Sequence, residues 1–94
     1  MKIRWTPKAS AQLEAIHDYL ADKNREAAEM LLDRIYSAIS VLELYPEIGR
    51  LGRIAETREL IVTNTPYIVF YRIRHENIHI LAIIHGARKL PRRF

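Results

Sequence analysis

Tyr67-Ile-Val-Phe-Tyr-Arg-Ile73 and Ile78-His-Ile-Leu-Ala-Ile-Ile-His85, separated by Arg74-His-Glu-Asn77, decide the fold. Both runs are dense in aromatic and β-branched residues, which suit a pleated surface, and the polar tetrad between them reads as a turn. The stretch is a β-hairpin. Side chains alternate along a strand, so a turn with an even number of residues places Tyr67, Val69, Tyr71 and Ile73 on one face with Ile78, Ile80, Ala82 and Ile84. The other face then collects Ile68, Phe70, Arg72 and Arg74 with His79, Leu81, Ile83 and His85. An odd turn would exchange the faces of one strand and destroy that sorting. The expectation is a hairpin with one wholly apolar face and one on which arginines and histidines stand over an apolar floor.

Outward from the hairpin, the rest of the chain supplies a cover for the apolar face. Lys2 to Trp5 alternates polar and apolar residues as a short strand. Thr6 can cap a helix that begins with Pro7, where the missing N–H costs nothing. Ala9, Leu13, Ile16 and Leu20 then recur at helical spacing, which predicts a first helix from Pro7 to Ala21. Asn24 can cap a second helix, whose apolar stripe is Ala28, Leu31, Leu32, Ile35, Ile39 and Leu42 and which must stop at Tyr45-Pro46. Two helices on a short link pack as an antiparallel pair and need a third surface to bury both stripes. Glu47 to Arg53 holds two of the three glycines and reads as a loop, Glu56 to Val62 as a strand, and Thr63 to Pro66 as the turn into the hairpin. The predicted class is α+β, in the order β-α-α-β-β-β: an antiparallel sheet of about four strands with an N-terminal helical hairpin packed on one face, residues 1–94 forming one domain.

Composition narrows the function. A chain of 94 residues that is 49% hydrophobic and 28% charged fits one globular domain. With no cysteine it can form neither a disulfide nor a thiolate zinc site, which suits a reducing cytoplasm. The N-terminus lacks the apolar stretch of a signal peptide, and the longest aliphatic run, Ile80 to Ile84, is too short to span a bilayer. A cytoplasmic protein with no membrane partner is expected. The net charge of +4 is unevenly placed: residues 1–49 carry six Lys/Arg against eight Asp/Glu, and residues 50–94 carry nine against three. The strand half is therefore the basic half, and it favours a polyanion or an acidic protein segment as partner.

Among the residues near the basic cluster, His85 alone has an ordinary pKa close to neutrality, so it alone could accept and return a proton. Arg53, Arg58, Arg72 and Arg88 could clamp a phosphate and stabilise charge building on it. A histidine among arginines at a strand end is the minimal kit for metal-free cleavage of RNA, and a purely structural His85 fits the same residues. His75 and His79 are four apart on strand and turn, a spacing that does not converge two imidazoles, so no metal and no cofactor is expected. His17 reads as a solvated side chain. Trp5, Tyr67 and Tyr71 read as packing residues that could also stack on bases. Arg92 and Arg93 read as an electrostatic tail.

The order of elements resembles the RelE/ParE superfamily, the toxins of bacterial type II toxin-antitoxin pairs. Trp5-Thr-Pro-Lys-Ala9, Ile16-His-Asp-Tyr19, Tyr45-Pro-Glu-Ile-Gly-Arg50, Thr57-Arg-Glu-Leu60, Pro66-Tyr-Ile-Val-Phe-Tyr71 and His85-Gly-Ala-Arg88 carry the likeness. It implies a small basic toxin held inactive by an acidic or mixed-charge antitoxin. That antitoxin would bring a DNA-binding domain, so the toxin would contact DNA only through it. The family divides by target: RelE-like members cleave mRNA on the ribosome, whereas ParE-like members inhibit DNA gyrase and cleave nothing. On the nuclease reading, Arg58 and Arg88 bind the scissile phosphate and His85 is base or acid. Two positions depart from the nuclease branch, Ile68 where an arginine is expected and Phe94 where a tyrosine is expected, and they lean the reading toward gyrase. Under either target, Arg50, Arg53, Arg72, Arg74, Arg92 and Arg93 are the expected contacts to nucleic acid or antitoxin. A basic binding module without toxic activity is the third reading.

Overall fold

The computed structural model describes residues 1–94. Strand β1 (Lys2–Trp5) leads into helices α1 (Pro7–Ala21) and α2 (Arg25–Ser40), a 3₁₀ turn at Val41–Glu43, and strands β2 (Arg50–Leu51), β3 (Arg58–Ile61), β4 (Tyr67–Arg74) and β5 (Asn77–His85). Local chemistry sets the helix starts as predicted, whereas α2 ends at Ser40 and passes into the 3₁₀ turn before it reaches Tyr45-Pro46. The Thr6 hydroxyl accepts from the Ala9 N–H at 3.2 Å and donates to the Ile80 carbonyl at 2.7 Å, which caps α1 and fastens it to the sheet. Asn24 Oδ1 accepts from the Ala27 N–H at 3.0 Å and caps α2.

The sheet has five strands in the order β1-β5-β4-β3-β2 and is mixed. All its pairings are antiparallel except β1 with β5, which is parallel, with Lys2 beside Asn77 and Trp5 beside Ile80. This corrects the expectation of about four antiparallel strands. Chain reversal through the helical hairpin returns the last strand alongside the first in the same direction, and β2, two residues long, leaves no periodicity to read. The β4–β5 turn is the even one: His75 and Glu76 sit between the paired Arg74 and Asn77, with φ of 52° and 58°. Two successive left-handed residues make the tight turn whose twist matches a hairpin.

The predicted sorting of faces holds only as far as the middle of the hairpin. β5 has nine residues against eight in β4, and the register jumps between Phe70 and Tyr71, so that Phe70 lies beside Ala82 and Tyr71 beside Ile80. Leu81 is the extra residue of a β-bulge. Below the bulge, Tyr71 and Ile73 share the helix side with Ile80 and Ile78 as expected. Above it the faces of β5 exchange: Ile83 joins Val69 in the helix-side core and His85 comes beside Tyr67, while Ala82 and Ile84 turn to the outer face with Phe70 and Ile68. The expectation that Arg72 and His85 share a face is therefore overturned. Arg72 is on the outer face and His85 on the helix side.

Two cores result. The larger lies between the helices and the sheet and includes Ala9, Leu13, Ile35, Ile39, Leu42, Val69, Tyr71, Ile78 and Ile80. The smaller, on the outer face, is Phe70, Ala82 and Ile84, covered by Leu90 and Phe94 of the C-terminal tail. Phe94 packs at 5.1 Å between ring centroids on Phe70, and the Lys8 ammonium sits 5.3 Å above the Phe94 ring. No helix is long and apolar enough to cross a membrane.

Candidate functional site

The arginines expected to face a partner divide into separate groups, and the first is bonded to a buried carboxylate while staying half exposed. Glu59 of β3 is fully buried, with 0% of its side chain exposed. Its Oε1 accepts from Arg50 Nε at 3.3 Å, Arg50 Nη2 at 2.8 Å and Arg53 Nη2 at 3.0 Å; its Oε2 accepts from the Arg53 N–H at 2.8 Å and Arg53 Nε at 3.1 Å. Burial pushes the carboxyl pKa up, and the bonds from Arg53, its side chain first and then its backbone, together with those from Arg50 outweigh that push and hold it at about 2. Burial alone would be costly for a lone carboxylate; two guanidiniums and a backbone amide make it tolerable. Arg50 and Arg53, read from sequence as partner contacts, are thus committed to folding the segment that precedes β3. Glu59 went unrecognised in the sequence, where a single acidic residue between Arg58 and Leu60 carries no pattern.

Arg58 is likewise engaged. Its Nη1 donates to the carbonyls of Gly49 at 2.8 Å and Glu47 at 3.2 Å. Beside it, the buried Tyr71 hydroxyl donates to the Pro46 carbonyl at 2.8 Å and accepts from the Gly49 N–H at 2.9 Å. Burial raises the Tyr71 pKa, so the phenol stays neutral and serves as both donor and acceptor. A Cβ at Gly49 would stand 2.6 Å from that hydroxyl oxygen, so only glycine admits this close approach.

His85 belongs to another place. Its exposed ring stands edge-on to Tyr67, 5.6 Å between centroids, and its Nδ1 accepts from the Ala87 N–H at 3.1 Å, which leaves the ring proton on Nε2. With Arg88, Lys89, Lys8, Tyr67 and Tyr19 it lines a groove of ≈ 760 Å³ beside α1. Arg58 pairs with Tyr71 and His85 with Tyr67, so the two are four residues apart along β4, about 13 Å at ~3.3 Å per residue, and lie on strands flanking β4 from opposite sides. One phosphate cannot reach both.

On the outer face, Arg72 and Arg74 stand near the hairpin turn. Arg72 Nε donates to the Glu56 carbonyl at 3.3 Å, and Arg74 Nη2 lies 3.8 Å from the Glu56 carboxylate. Arg92 and Arg93 are exposed between Leu90 and Phe94, which tie the tail down. His17 is more than a solvated side chain: its Nδ1 and Nε2 each lie 3.3 Å from a carboxylate, Asp18 and Glu29, so it braces α1 against α2. Trp5 packs against Tyr36 at 5.6 Å, within the helix side of the fold.

Comparison with known proteins gives the family. The sequence model described as ParE toxin of type II toxin-antitoxin system, parDE, matches residues 3–90. This chain belongs to the ParE toxin family. It is 39% identical over 90 residues to the candidate toxin Y4kP of Sinorhizobium fredii, spanning 96% of this chain and 93% of that protein. It is also 39% identical over 87 residues to toxin RelE2 of Caulobacter vibrioides, spanning 93% of this chain and 97% of that one. A chain of the chromosomal ParDE toxin-antitoxin system from P. aeruginosa superposes with a TM-score of 0.82 at 27% identity, covering 90% of this chain and 95% of that chain. The protein is a toxin of a type II toxin-antitoxin system, and a cognate antitoxin is its partner.

Within this toxin, the two positions that depart from the nuclease branch are neighbours in space. Ile68 and Phe94 both pack against the outer-face cluster of Phe70, Ala82 and Ile84. Where a nuclease is expected to present a guanidinium and a phenol, the toxin has an apolar patch partly covered by its own tail.

Proposed function

We propose that this toxin arrests growth by binding DNA gyrase rather than by cutting RNA. The observation that carries the reading is the apolar patch formed by Ile68 and Phe94. Loss of a phosphate clamp and of a proton donor each removes orders of magnitude from a metal-free phosphoryl transfer, and no other residue replaces both at that spot. The dispersal of the remaining candidates supports the same reading: Arg58 is bonded to loop carbonyls, while His85 and Arg88 lie by the groove along α1. A toxin that acts by protein contact needs no such centre.

Purified gyrase supplies the test. Antitoxin-free toxin should inhibit supercoiling, and His85→Ala should inhibit as well as the parent. Toeprinting of translating ribosomes should show no new mRNA ends. Codon-specific cuts that vanish in His85→Ala or Arg88→Ala, with supercoiling untouched, would overturn the proposal in favour of ribosome-dependent cleavage.

A further inference from the structure

The parallel pairing of β1 changes the charge of the sheet. Ile3 and Trp5 turn into the helix-side core, so Lys2 and Arg4 turn the other way, onto the face of Arg72 and Arg74. The registers then align two cross-strand rows: Lys2, Asn77, Arg74 and Arg4, His79, Arg72. At ~4.8 Å between strands, the outer cations of each row are roughly 10 Å apart at their backbones, and the rows are about 7 Å apart along the chain. Glu56 touches one end of this array, and no ion pair involves Lys2, Arg4 or Arg72. Between Arg4 and Arg72, the buried Nε2 of His79 has no hydrogen-bond partner.

Three features define what fits. The centre of a protein–protein interface is apolar and poor in charge, whereas no apolar side chain interrupts these rows. A single-stranded nucleic acid is held by aromatic rings under its bases, whereas Trp5, Tyr67 and Tyr71 all belong to the helix side and Phe70 is covered by Phe94. Cations spaced by the register of a twisted sheet suit a regular row of phosphates. In place of the expectation that DNA is met only through the antitoxin, we propose that the helix-free face of the sheet binds the backbone of duplex DNA through Lys2, Arg4, Arg72 and Arg74. A phosphate oxygen seated between Arg4 and Arg72 would give His79 Nε2 a partner when that nitrogen carries the ring proton. The choice of duplex DNA rests on the gyrase reading, since that target works on DNA; the cationic rack itself does not.

The test is fluorescence anisotropy of a short labelled duplex with antitoxin-free toxin over a series of salt concentrations. Four phosphate contacts predict a log–log salt slope of about −3.6, roughly a tenfold loss of affinity for each doubling of salt, with micromolar binding indifferent to sequence. Arg4 and Arg74 are both exposed, so Arg4→Gln with Arg74→Gln leaves the core intact, which a thermal melt verifies, and should shrink the slope by about 2. Absence of duplex binding at low salt, or an unchanged slope in the double variant, overturns the proposal. Tighter binding of single-stranded RNA of equal length overturns it in favour of an RNA target, and equal binding of polyglutamate assigns the face to an acidic protein. Gyrase is absent from this assay: supercoiling inhibition without duplex binding keeps the target and rejects the face, and duplex binding without inhibition does the reverse.

Discussion

Glu59→Gln removes one negative charge from a site that water does not reach, while keeping the shape of the side chain. The carboxyl pKa is held at about 2 against an ordinary value of 4.5. At ~1.36 kcal/mol per pH unit, that gap corresponds to about 3 kcal/mol of folding stability. Arg50 and Arg53 are each 55% exposed, so solvent screening trims the figure to ~2 kcal/mol. Because the folded pKa is depressed, this stability is fully present above pH 4.5 and is lost as pH falls toward about 2. Urea melts of parent and variant across that range check it, and subtracting one curve from the other cancels the carboxylates they share. The difference should be ~2 kcal/mol at pH 7, about 10 °C or more in melting temperature for a domain of this size, and should close toward zero as Glu59 protonates and comes to resemble glutamine. A variant as stable as the parent at pH 7, or a difference that stays flat through the acid range, would show that the two arginines do not hold this carboxylate.

Two further outcomes follow from the same kind of accounting. Tyr71→Phe leaves the Pro46 carbonyl and the Gly49 N–H without partners in the interior, and should cost ~1–3 kcal/mol in a urea titration; a cost under half a kcal/mol would mean water replaces the phenol. The His17 pKa is raised above 6.5 by its hydrogen bonds to Asp18 and then Glu29, so its contribution is full below 6.5 and fades as pH rises through the folded value. An NMR titration of the imidazole should give a midpoint above 6.5 that falls in Glu29→Gln, and a midpoint at or below 6.5 in the parent contradicts the bridge.

What the sequence revealed is what short-range chemistry controls. Thr6-Pro7 and Asn24 fix the helix starts, and the four-three-four spacing of Ala9, Leu13, Ile16 and Leu20 fixes the buried side of α1, so α1 lies at the predicted residues. Long-range pairing was not legible. Nothing in Lys2 to Trp5 says that it lies parallel to β5, because alternation is the same for either direction. Leu81 was equally silent: an apolar residue amid apolar residues fits any register, so the run Ile80 to Ile84 gives no sign of where the extra residue is absorbed. The basic cluster suffered most from this. That Arg50 and Arg53, though exposed, also serve a carboxylate could not be read, because Glu59 is carried by a neighbouring strand and hidden by the fold.

Register, more than residue choice, decides what the charges of this toxin can do. One additional residue at Leu81 carries His85 to the helix side, beside Tyr67, and so parts its imidazole from the Arg72 guanidinium on the outer face. One parallel pairing brings Lys2 and Arg4 into line with Arg72 and Arg74. The first change separates a histidine from the outer-face cations and the second brings four cations into two rows. Under the proposals above, the same basic composition serves to hold an anionic backbone rather than to break one, on the face that the helices leave open.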